Sequence, residues 1–186
     1  MIWIFLGLAA FLALTLFDVH KLKPIHPFFN GLFAAGVGML VWATYGILTS
    51  EPWFSFTPQP LAWIVAGLGL GEMIFALFFA LPFETTYVQS SENLPVVSTG
   101  LYGLCRHPGV WGFIVYYLAA SLASGNGTLL IAGIVFSAAD ILHVTMQDRL
   151  FFTKTLAGYT DYQRQVPFLL FGWKDLKRAF TVKEPS

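Results

Sequence analysis

The composition of this 186-residue chain excludes a soluble globular domain. Hydrophobic residues make up 56% of it and charged residues 11%, whereas a soluble domain has about 45–50% apolar residues, glycine included, and about 25% charged residues. Ten basic and ten acidic residues cancel to no net charge, so the total lacks the basic excess of a nucleic-acid-binding protein. We therefore expect an all-α, polytopic membrane protein.

Five long apolar runs follow one another along the chain. A helix that crosses a bilayer needs about 20 largely apolar residues. We predict one membrane domain over residues 1–186, with spans at about residues 1–17, 28–48, 61–83, 109–123 and 128–146. The turn residues Gly125-Asn126-Gly127 separate the last two runs and predict an antiparallel helical hairpin.

The basic residues predict which way these spans run. With five spans, all ten fall on one side of the membrane: Lys21, Lys23, Arg106, Arg149, Lys154, Arg164, Lys174, Lys177, Arg178 and Lys183. Basic residues mark the cytoplasmic face, so we expect the N-terminus outside and the tail inside the cell. The cytoplasmic segments 84–108 and 147–186 are also the long ones, and long loops usually carry function. The site is therefore predicted on this face.

The third predicted span contains the acidic residue Glu72, which follows several glycines. A charged group at bilayer depth costs about 2.5–3.5 kcal/mol on insertion scales, so it normally faces protein or a wet cavity. The spacing of Gly67 and Gly71 permits close approach of a neighbouring helix. We interpret Glu72 first as a protonated or paired carboxyl that holds helices together.

Three polar residues near the end of the fifth predicted span share one helix face. Asp140, His143 and Gln147 are spaced i, i+3 and i+7. A helix that becomes polar as it leaves the membrane explains Gln147 well but explains Asp140 poorly. The pattern favours a binding site that opens toward the long cytoplasmic segments.

The third loop ends on Arg106-His107-Pro108. Proline suits the first turn of a helix, so the fourth span is predicted to start here. Free backbone N–H groups beside Arg106 and His107 could hold an anionic group, although an ordinary loop-to-helix junction also explains the tripeptide. Aromatic residues then recur in the tail, either as interfacial anchors or as a lid over a cationic ligand: Phe151, Phe152, Tyr159 and Tyr162.

The ordered set of these motifs resembles the isoprenylcysteine carboxyl methyltransferase family, membrane enzymes that use S-adenosylmethionine and are related to phospholipid methyltransferases. The resemblance covers roughly residues 87–167. It consists of Tyr87-Val88-Gln89, Ser98-Thr99-Gly100-Leu101-Tyr102, Arg106-His107-Pro108 with Gly112, and Gln147-Asp148-Arg149-Leu150 followed by Tyr159, Tyr162 and Val166-Pro167. Each piece is common, but the set in this order and spacing is fairly specific.

The resemblance implies a methyltransferase whose cytoplasmic S-adenosylmethionine pocket is closed by the tail, with a lipophilic or small-molecule acceptor and no metal. The implied cofactor contacts are Gln89, Leu94, Pro95, Val96, Val97, Tyr102, Arg106, His107, Pro108, Gly109, Val110, Gln147, Asp148, Tyr159 and Tyr162. His143 takes the position of a substrate-facing Arg and is the expected catalytic residue, which positions the acceptor or accepts a proton from it.

Two departures from the family pattern concern the substrate more than the cofactor. The family has a Glu-Glu pair where this chain has Gln147-Asp148, and an Arg where it has His143. Losing the Arg removes a bidentate clamp for a carboxylate, so carboxylate, amine and thiol acceptors all remain open. Two other functions also remain: a non-catalytic membrane binding module with the same fold, and a sterol-reductase-like NADPH oxidoreductase.

Overall fold

The computed structural model describes residues 1–80 and 94–180. Within these ranges the chain is mostly helical. The helices are α1 (Ile2–Leu22), α2 (Leu32–Thr49), α3 (Ala62–Phe78), α4 (Leu101–Leu104), α5 (Gly109–Ser124), α6 (Gly127–Met146), α7 (Phe152–Thr155), α8 (Tyr159–Gln165) and α9 (Trp173–Phe180), with a 3₁₀ turn at Pro27–Gly31 and a π turn at Gln147–Phe151. Two short strands, β1 (Leu94–Pro95) and β2 (Leu156–Ala157), pair in parallel.

Three of the helical stretches are long and apolar enough to cross a membrane: Ile2–Leu22, Pro27–Thr49 and Gly127–Thr155. Helices α3 and α5 are also apolar, but they have 17 and 16 residues and fall short of the roughly 20 that a span usually needs. All five predicted apolar runs therefore form helices, and three of them have the length of a span.

Two helix boundaries differ from the sequence prediction. The first helix was predicted to end near residue 17 but continues to Leu22, because no helix breaker occurs before Pro24. The third was predicted to reach residue 83 but ends at Phe78; the sequence reason is Pro82, since helices usually end before the residue that precedes a proline. The first difference matters for function, because it places Asp18 on a helix.

The core lies where α1, α2, α5 and α6 meet. Its fully buried centre is formed by Phe11, Ile47, Leu129 and Phe136, with Phe113 and Tyr117 packed against them. The Tyr117 hydroxyl lies 2.6 Å from the Thr44 hydroxyl inside this core, so the polar end of the tyrosine is satisfied where water is excluded.

Helix α3 packs on α5 through glycines other than the predicted pair. A Cβ at Gly69 would lie 2.9 Å from the Gly112 carbonyl oxygen, whereas Gly67 and Gly71 have no neighbour within 4 Å among the described residues. The close approach that the spacing of Gly67 and Gly71 would permit is made on another face, because Ala66, Gly69 and Ala76 are the buried residues of α3. Small residues on that face allow the close backbone approach.

The predicted hairpin between α5 and α6 is confirmed. Gly125 ends α5 in the left-handed conformation, with φ at 65°, a backbone state that glycine adopts without a Cβ penalty. Asn126 caps α6 by accepting a hydrogen bond from Leu129 N–H at 2.9 Å. The hairpin brings the end of α6 back to the beginning of α5, where Arg106 and His107 lie.

Large apolar side chains remain exposed along the outer faces of the helices. Examples are Phe5 and Leu12 on α1, Val41 on α2, and Leu68 and Phe75 on α3, all of them more than half exposed. Exposed apolar surface of this extent is typical of membrane contact rather than of a soluble surface. The exposed faces of α1, α2 and α3 are therefore suited to lipid.

Candidate functional site

The polar groups of the site gather at one end of the helices, around the junction of α6 with the π turn. A π turn inserts an extra residue into a helix and is frequent at functional sites. Here it contains Gln147 and Asp148, two consecutive residues that contact different partners. Gln147 contacts α1, whereas Asp148 contacts the residues before α5 and the tail. Two polar clusters result.

The first, which we name the Asp148 cluster, consists of Arg106, His107, Asp148, Tyr159 and Gln163. Arg106 binds Asp148 through two nitrogens, with Nε to Oδ1 at 2.8 Å and Nη2 to Oδ2 at 3.0 Å. The side chains are 11% and 7% exposed, so water screens the pair little. Bidentate geometry with low exposure is the strong form of this interaction.

Arg106 also connects the third loop to the tail. Its Nη1 donates to the carbonyl oxygens of Gln163 and Val166, at 2.9 and 2.7 Å, and its backbone N–H donates to the Pro167 oxygen at 2.9 Å. The Arg106 guanidinium is thus engaged inside the protein. Its chemistry here is to hold the tail against the start of α5.

Two further groups approach the Asp148 carboxylate. The Tyr159 hydroxyl donates to Oδ1 at 2.6 Å, and Nε2 of His107 lies 3.4 Å from the same oxygen. Burial and the hydrogen bond to Asp148 both raise the pKa of Tyr159, so this phenol stays protonated. Burial lowers the pKa of His107 despite the opposing effect of Asp148, so the imidazole is neutral at physiological pH.

Aromatic rings surround His107. Phe152 stacks on the imidazole at 6.1 Å between centroids, and Phe168 meets it edge-on at 5.0 Å. The Phe152 ring in turn contacts Tyr159 at 5.4 Å. These rings come from α7, α8 and the segment after it. Of the tail aromatics that the sequence singled out, Phe152 contacts His107 of the loop directly, whereas Phe168 was not singled out. Their faces are a suitable environment for a cation.

The tail and the third loop also join through backbone and apolar contacts. Strands β1 and β2 align Leu94 with Leu156 and Pro95 with Ala157. The Tyr162 hydroxyl donates to the Tyr102 carbonyl at 2.7 Å, and Tyr102 donates to the Ala76 carbonyl of α3 at 3.1 Å. Tyr159 and Tyr162 form a small buried cluster with Val166, against which Val96 packs.

The remaining residues implied by the resemblance fall on the same end of the molecule, with one exception. Pro108 and Val110 are buried at the start of α5, and Gly109 lies beside Ala76 and Leu77 of α3. Val97 is half-buried directly after β1. Gln89 lies outside the described residues.

The second cluster, which we name the Asp18 cluster, joins α1 to α6 and consists of Thr15, Asp18, His143 and Gln147. Gln147 Nε2 donates to Asp18 Oδ2 at 2.9 Å. His143 lies between the two α1 residues, with Nδ1 3.0 Å from Thr15 Oγ1 and Nε2 3.6 Å from Asp18 Oδ2. The predicted shared face of His143 and Gln147 is confirmed, since both contact Asp18.

Glu72 and Asp140, the two acidic residues within the predicted spans, have few polar partners among the described residues. Glu72 lies against Gly112 of α5, and its Oε2 is buried with no hydrogen-bond partner in the described part of the chain. This position agrees with a carboxyl placed between two helices. Asp140 shares the α6 sequence stripe but makes no hydrogen bond with any described residue, so the structure does not bring it into the Asp18 cluster.

Sequence reasoning missed the α1 half of the site. Asp18 and Thr15 were not considered because the first span was predicted to end at Phe17 and Asp18 was treated as loop. The signal that could have found them is the i, i+3 spacing of Thr15 and Asp18 on a helix that runs uninterrupted to Leu22. Gln163, which donates to Asp148 Oδ2 at 3.1 Å, carried no comparable signal.

Three other reactive side chains have structural roles in this fold. His20 and His26 accept backbone hydrogen bonds from Ile25 and Phe28 through Nδ1. Cys105 is buried, and its burial raises the pKa of the thiol to about 11, so little reactive thiolate forms near neutral pH.

Comparison with known proteins adds no family to this description. No family model, no curated protein and no solved structure matches the chain. The class that the fold defines is a helical protein with three helices able to cross a membrane, and its function rests on the geometry of the two clusters.

Proposed function

We propose that the protein is an integral membrane methyltransferase that moves a methyl group from S-adenosylmethionine to a lipophilic or small-molecule acceptor. One observation carries the proposal. The family resemblance assigns Arg106, Asp148, Tyr102 and Tyr162 to one cofactor pocket. Arg106 and Asp148 are 42 positions apart in the sequence, and Tyr102 and Tyr162 are 60 apart, yet each pair is in direct contact. Neither composition nor helix packing alone requires that convergence.

The residues around the loop–tail junction suit this cofactor. The half-buried rings of Phe152 and Phe168 would be a favourable environment for a sulfonium cation; the Arg106 guanidinium already lies 5.6 Å from the Phe168 ring centroid. The segment Val96–Val97 would offer apolar surface for an adenine ring. A bound S-adenosylmethionine supplies an activated methyl group, so the protein needs no covalent nucleophile. Its residues would orient the donor, align the acceptor and exclude water, effects worth roughly 7–11 kcal/mol at best.

The proposal includes an arrangement in the membrane. Helices α3 and α5 would cross the bilayer together with the three long helices, giving five spans, because their exposed faces are apolar and they pack closely on each other. The N-terminus would then face outside, and the tail and active site the cytoplasm, because every Lys and Arg of the chain falls on that side. The tail would close the cofactor pocket.

Calorimetry on the purified protein in detergent tests the proposal. We expect saturable binding of S-adenosylhomocysteine, weakened strongly by His107→Gln and retained by Arg164→Ala, an exposed control whose partner is Asp161. Thermal unfolding of each variant establishes that it is folded. Wild-type protein that binds neither S-adenosylhomocysteine nor S-adenosylmethionine would overturn the proposal.

Two other outcomes identify the competing functions. Binding of NADPH without binding of S-adenosylhomocysteine would indicate an oxidoreductase. A ligand profile that is the same for wild type and His107→Gln would indicate a non-catalytic module. A point in favour of the module is that Asp148, the remaining acid of the family's acidic pair, is fully engaged by Arg106, Tyr159 and Gln163.

A further inference from the structure

The Asp18 cluster lies next to the proposed cofactor site and shares Gln147 with it, the residue that binds Asp18 directly. Gln147 and Asp148 are adjacent in the π turn, so the carboxylate of Asp18 is connected to the loop–tail junction through a single backbone step. Asp18 lies one turn before the end of α1 and is 17% exposed at its side chain. The side chain is therefore mostly buried, with a small part exposed near the end of the helix, and its neighbours hold it in place.

The hydrogen bonds of the cluster determine where the protons lie. Thr15 has one hydroxyl proton and donates it to the Phe11 carbonyl at 2.9 Å. The Thr15 oxygen must then accept from His143, so Nδ1 carries a proton and Nε2 of the neutral ring is a lone pair. That lone pair faces Asp18 Oδ2 at 3.6 Å, an ion-pair distance rather than a hydrogen bond. A proton that reaches Asp18 or His143 can therefore be shared between the Asp18 carboxylate and the His143 imidazole.

The two oxygens of Asp18 differ. Oδ2 accepts from Gln147 and faces His143, whereas Oδ1 makes no hydrogen bond with any residue in 1–80 or 94–180. No Lys or Arg in those ranges forms an ion pair with Asp18, in contrast to Asp148, which has Arg106. Asp18 Oδ1 is thus an acceptor atom with neither a hydrogen bond nor a Lys or Arg partner among the described residues.

We infer that Asp18 is the acceptor-binding carboxylate and proton acceptor of the methyl transfer, with His143 and Gln147 as positioning residues, and that the acceptor is an amine. This inference rests on the proposed methyltransferase function and deepens it. A carboxylate acceptor would be repelled by Asp18, and the site has His143 where the resembled family has an Arg that would bind a carboxylate. An amine is attracted as an ammonium ion and has a proton to give.

The chemical step balances with these groups. The ammonium gives one proton to Asp18 Oδ1, and the freed nitrogen lone pair forms the new N–C bond. The sulfonium cofactor supplies the methyl group, and the electron pair of the broken C–S bond stays on sulfur. The methylated product leaves as an ammonium ion, so each turnover releases one proton. This is the proton on Asp18 Oδ1, which passes to the imidazole Nε2 or to water before the next acceptor binds.

A binding experiment without any methyl donor tests the acceptor class. Thermal unfolding in maltoside detergent is measured with dodecylamine and, as the matched anion, with dodecanoate. A ligand that binds the folded state raises the midpoint by mass action. We expect dodecylamine to stabilise the wild type, to lose that effect in Asp18→Asn, and to keep it in Asp161→Asn, a change at an exposed aspartate. Equal effects of dodecylamine on wild type and Asp18→Asn would overturn the inference.

A transfer experiment tests the role in the reaction. Methyl-tritiated S-adenosylmethionine is supplied with vesicles of phosphatidylethanolamine and phosphatidylcholine or with N-acetyl-S-farnesylcysteine. We expect base-stable label on the amine lipid only, and a fall in kcat of about 100-fold or more in Asp18→Asn, as for loss of a general base. Rates are divided by the amount of protein that binds S-adenosylhomocysteine, so misfolded protein does not count.

The outcomes separate this inference from the proposed function. Base-labile ester on the farnesylcysteine, an unchanged kcat in Asp18→Asn, or no transfer to either acceptor by protein that binds S-adenosylhomocysteine each overturns the amine inference and leaves the cofactor proposal standing. Absence of S-adenosylhomocysteine binding overturns both. For His143→Gln we expect a lower kcat per binding site with an unchanged KM, since a merely structural role would reduce the number of binding sites instead.

Discussion

The two polar clusters at the end of the helices contrast in how completely their carboxylates are satisfied. Asp148 binds Arg106 through both oxygens and also receives hydrogen bonds from Tyr159 and Gln163. Among the residues that the structure describes, Asp18 receives one hydrogen bond, from Gln147, and has only His143 as a possible cation. The first carboxylate is neutralised within the protein, and the second is not.

That difference separates stability from function. A buried carboxylate that is paired and hydrogen-bonded fixes the position of the elements that contribute its partners, here the third loop, the π turn and the tail. A carboxylate left with an unused oxygen contributes little to folding, but it can bind a ligand. We therefore expect substitutions in the Asp148 cluster to change stability first and substitutions in the Asp18 cluster to change activity first.

The largest expected effect on stability is that of Arg106→Ala. It leaves the Asp148 carboxylate buried without its cation and removes the donors to the Gln163 and Val166 carbonyls. Removing one partner of a buried ion pair costs about 3–5 kcal/mol. Unfolding in mixed micelles at increasing denaturing detergent measures this loss. Arg164→Ala, which removes an exposed pair, should change the free energy of unfolding by less than about 1 kcal/mol, and equal losses in both variants would contradict the comparison.

A smaller effect is expected for Tyr159→Phe. The change removes only the hydroxyl that donates to Asp148 Oδ1 at 2.6 Å, and a hydrogen bond to a charged group contributes about 1.5–3 kcal/mol. The ring and its contact with Phe152 remain. The same unfolding assay measures the change, with Tyr45→Phe as the matched control at an exposed tyrosine. A loss no greater than that of Tyr45→Phe would show that the hydroxyl does not stabilise the cluster.

A pH-dependent loss of stability is expected from His107. Burial lowers its pKa in the folded state, so the unfolded chain binds more protons around its ordinary pKa of about 6.5. The stabilisation that comes from keeping His107 neutral in the folded state is fully present above about pH 6.5. It decreases as the pH falls below that value, because the unfolded chain takes up the proton first. The unfolding midpoint should therefore decrease between about pH 7.5 and pH 5.5, and His107→Gln should make that decrease shallower. An identical slope for both proteins would contradict the assignment.

The smallest expected effect on stability is that of Asp18→Asn. The carboxylate lies near the C-terminal end of α1, where the helix dipole disfavours negative charge by about 0.3–1 kcal/mol, and the amide can still bind Gln147. The free energy of unfolding should stay the same or rise by up to about 1 kcal/mol, whereas Asp148→Asn should lower it. Destabilisation by Asp18→Asn to the same extent as by Asp148→Asn would remove the distinction between the clusters.

Much of the fold could be predicted from the sequence because its signals are local. Long apolar runs predicted all five long helices, and Gly125-Asn126-Gly127 predicted the hairpin, since glycine and asparagine allow the turn between two helices. The motif order placed Arg106, His107, Asp148, Tyr159 and Tyr162 in one candidate site, and these residues do lie together. The predicted helix boundaries were less accurate, because apolar composition does not show where a helix continues into polar residues.

What the sequence determined by itself is a helical protein whose long apolar runs suit a membrane, with polar groups at a few positions, because hydrophobicity and charge act residue by residue. Only the tertiary structure decided which partners these groups have. That Asp148 pairs with Arg106, and that Asp18 of α1 meets His143 and Gln147 of α6, depends on how helices far apart in the chain pack and on the π turn that directs adjacent side chains to different neighbours. Such contacts are long-range in sequence and follow from packing, so no local pattern encodes them.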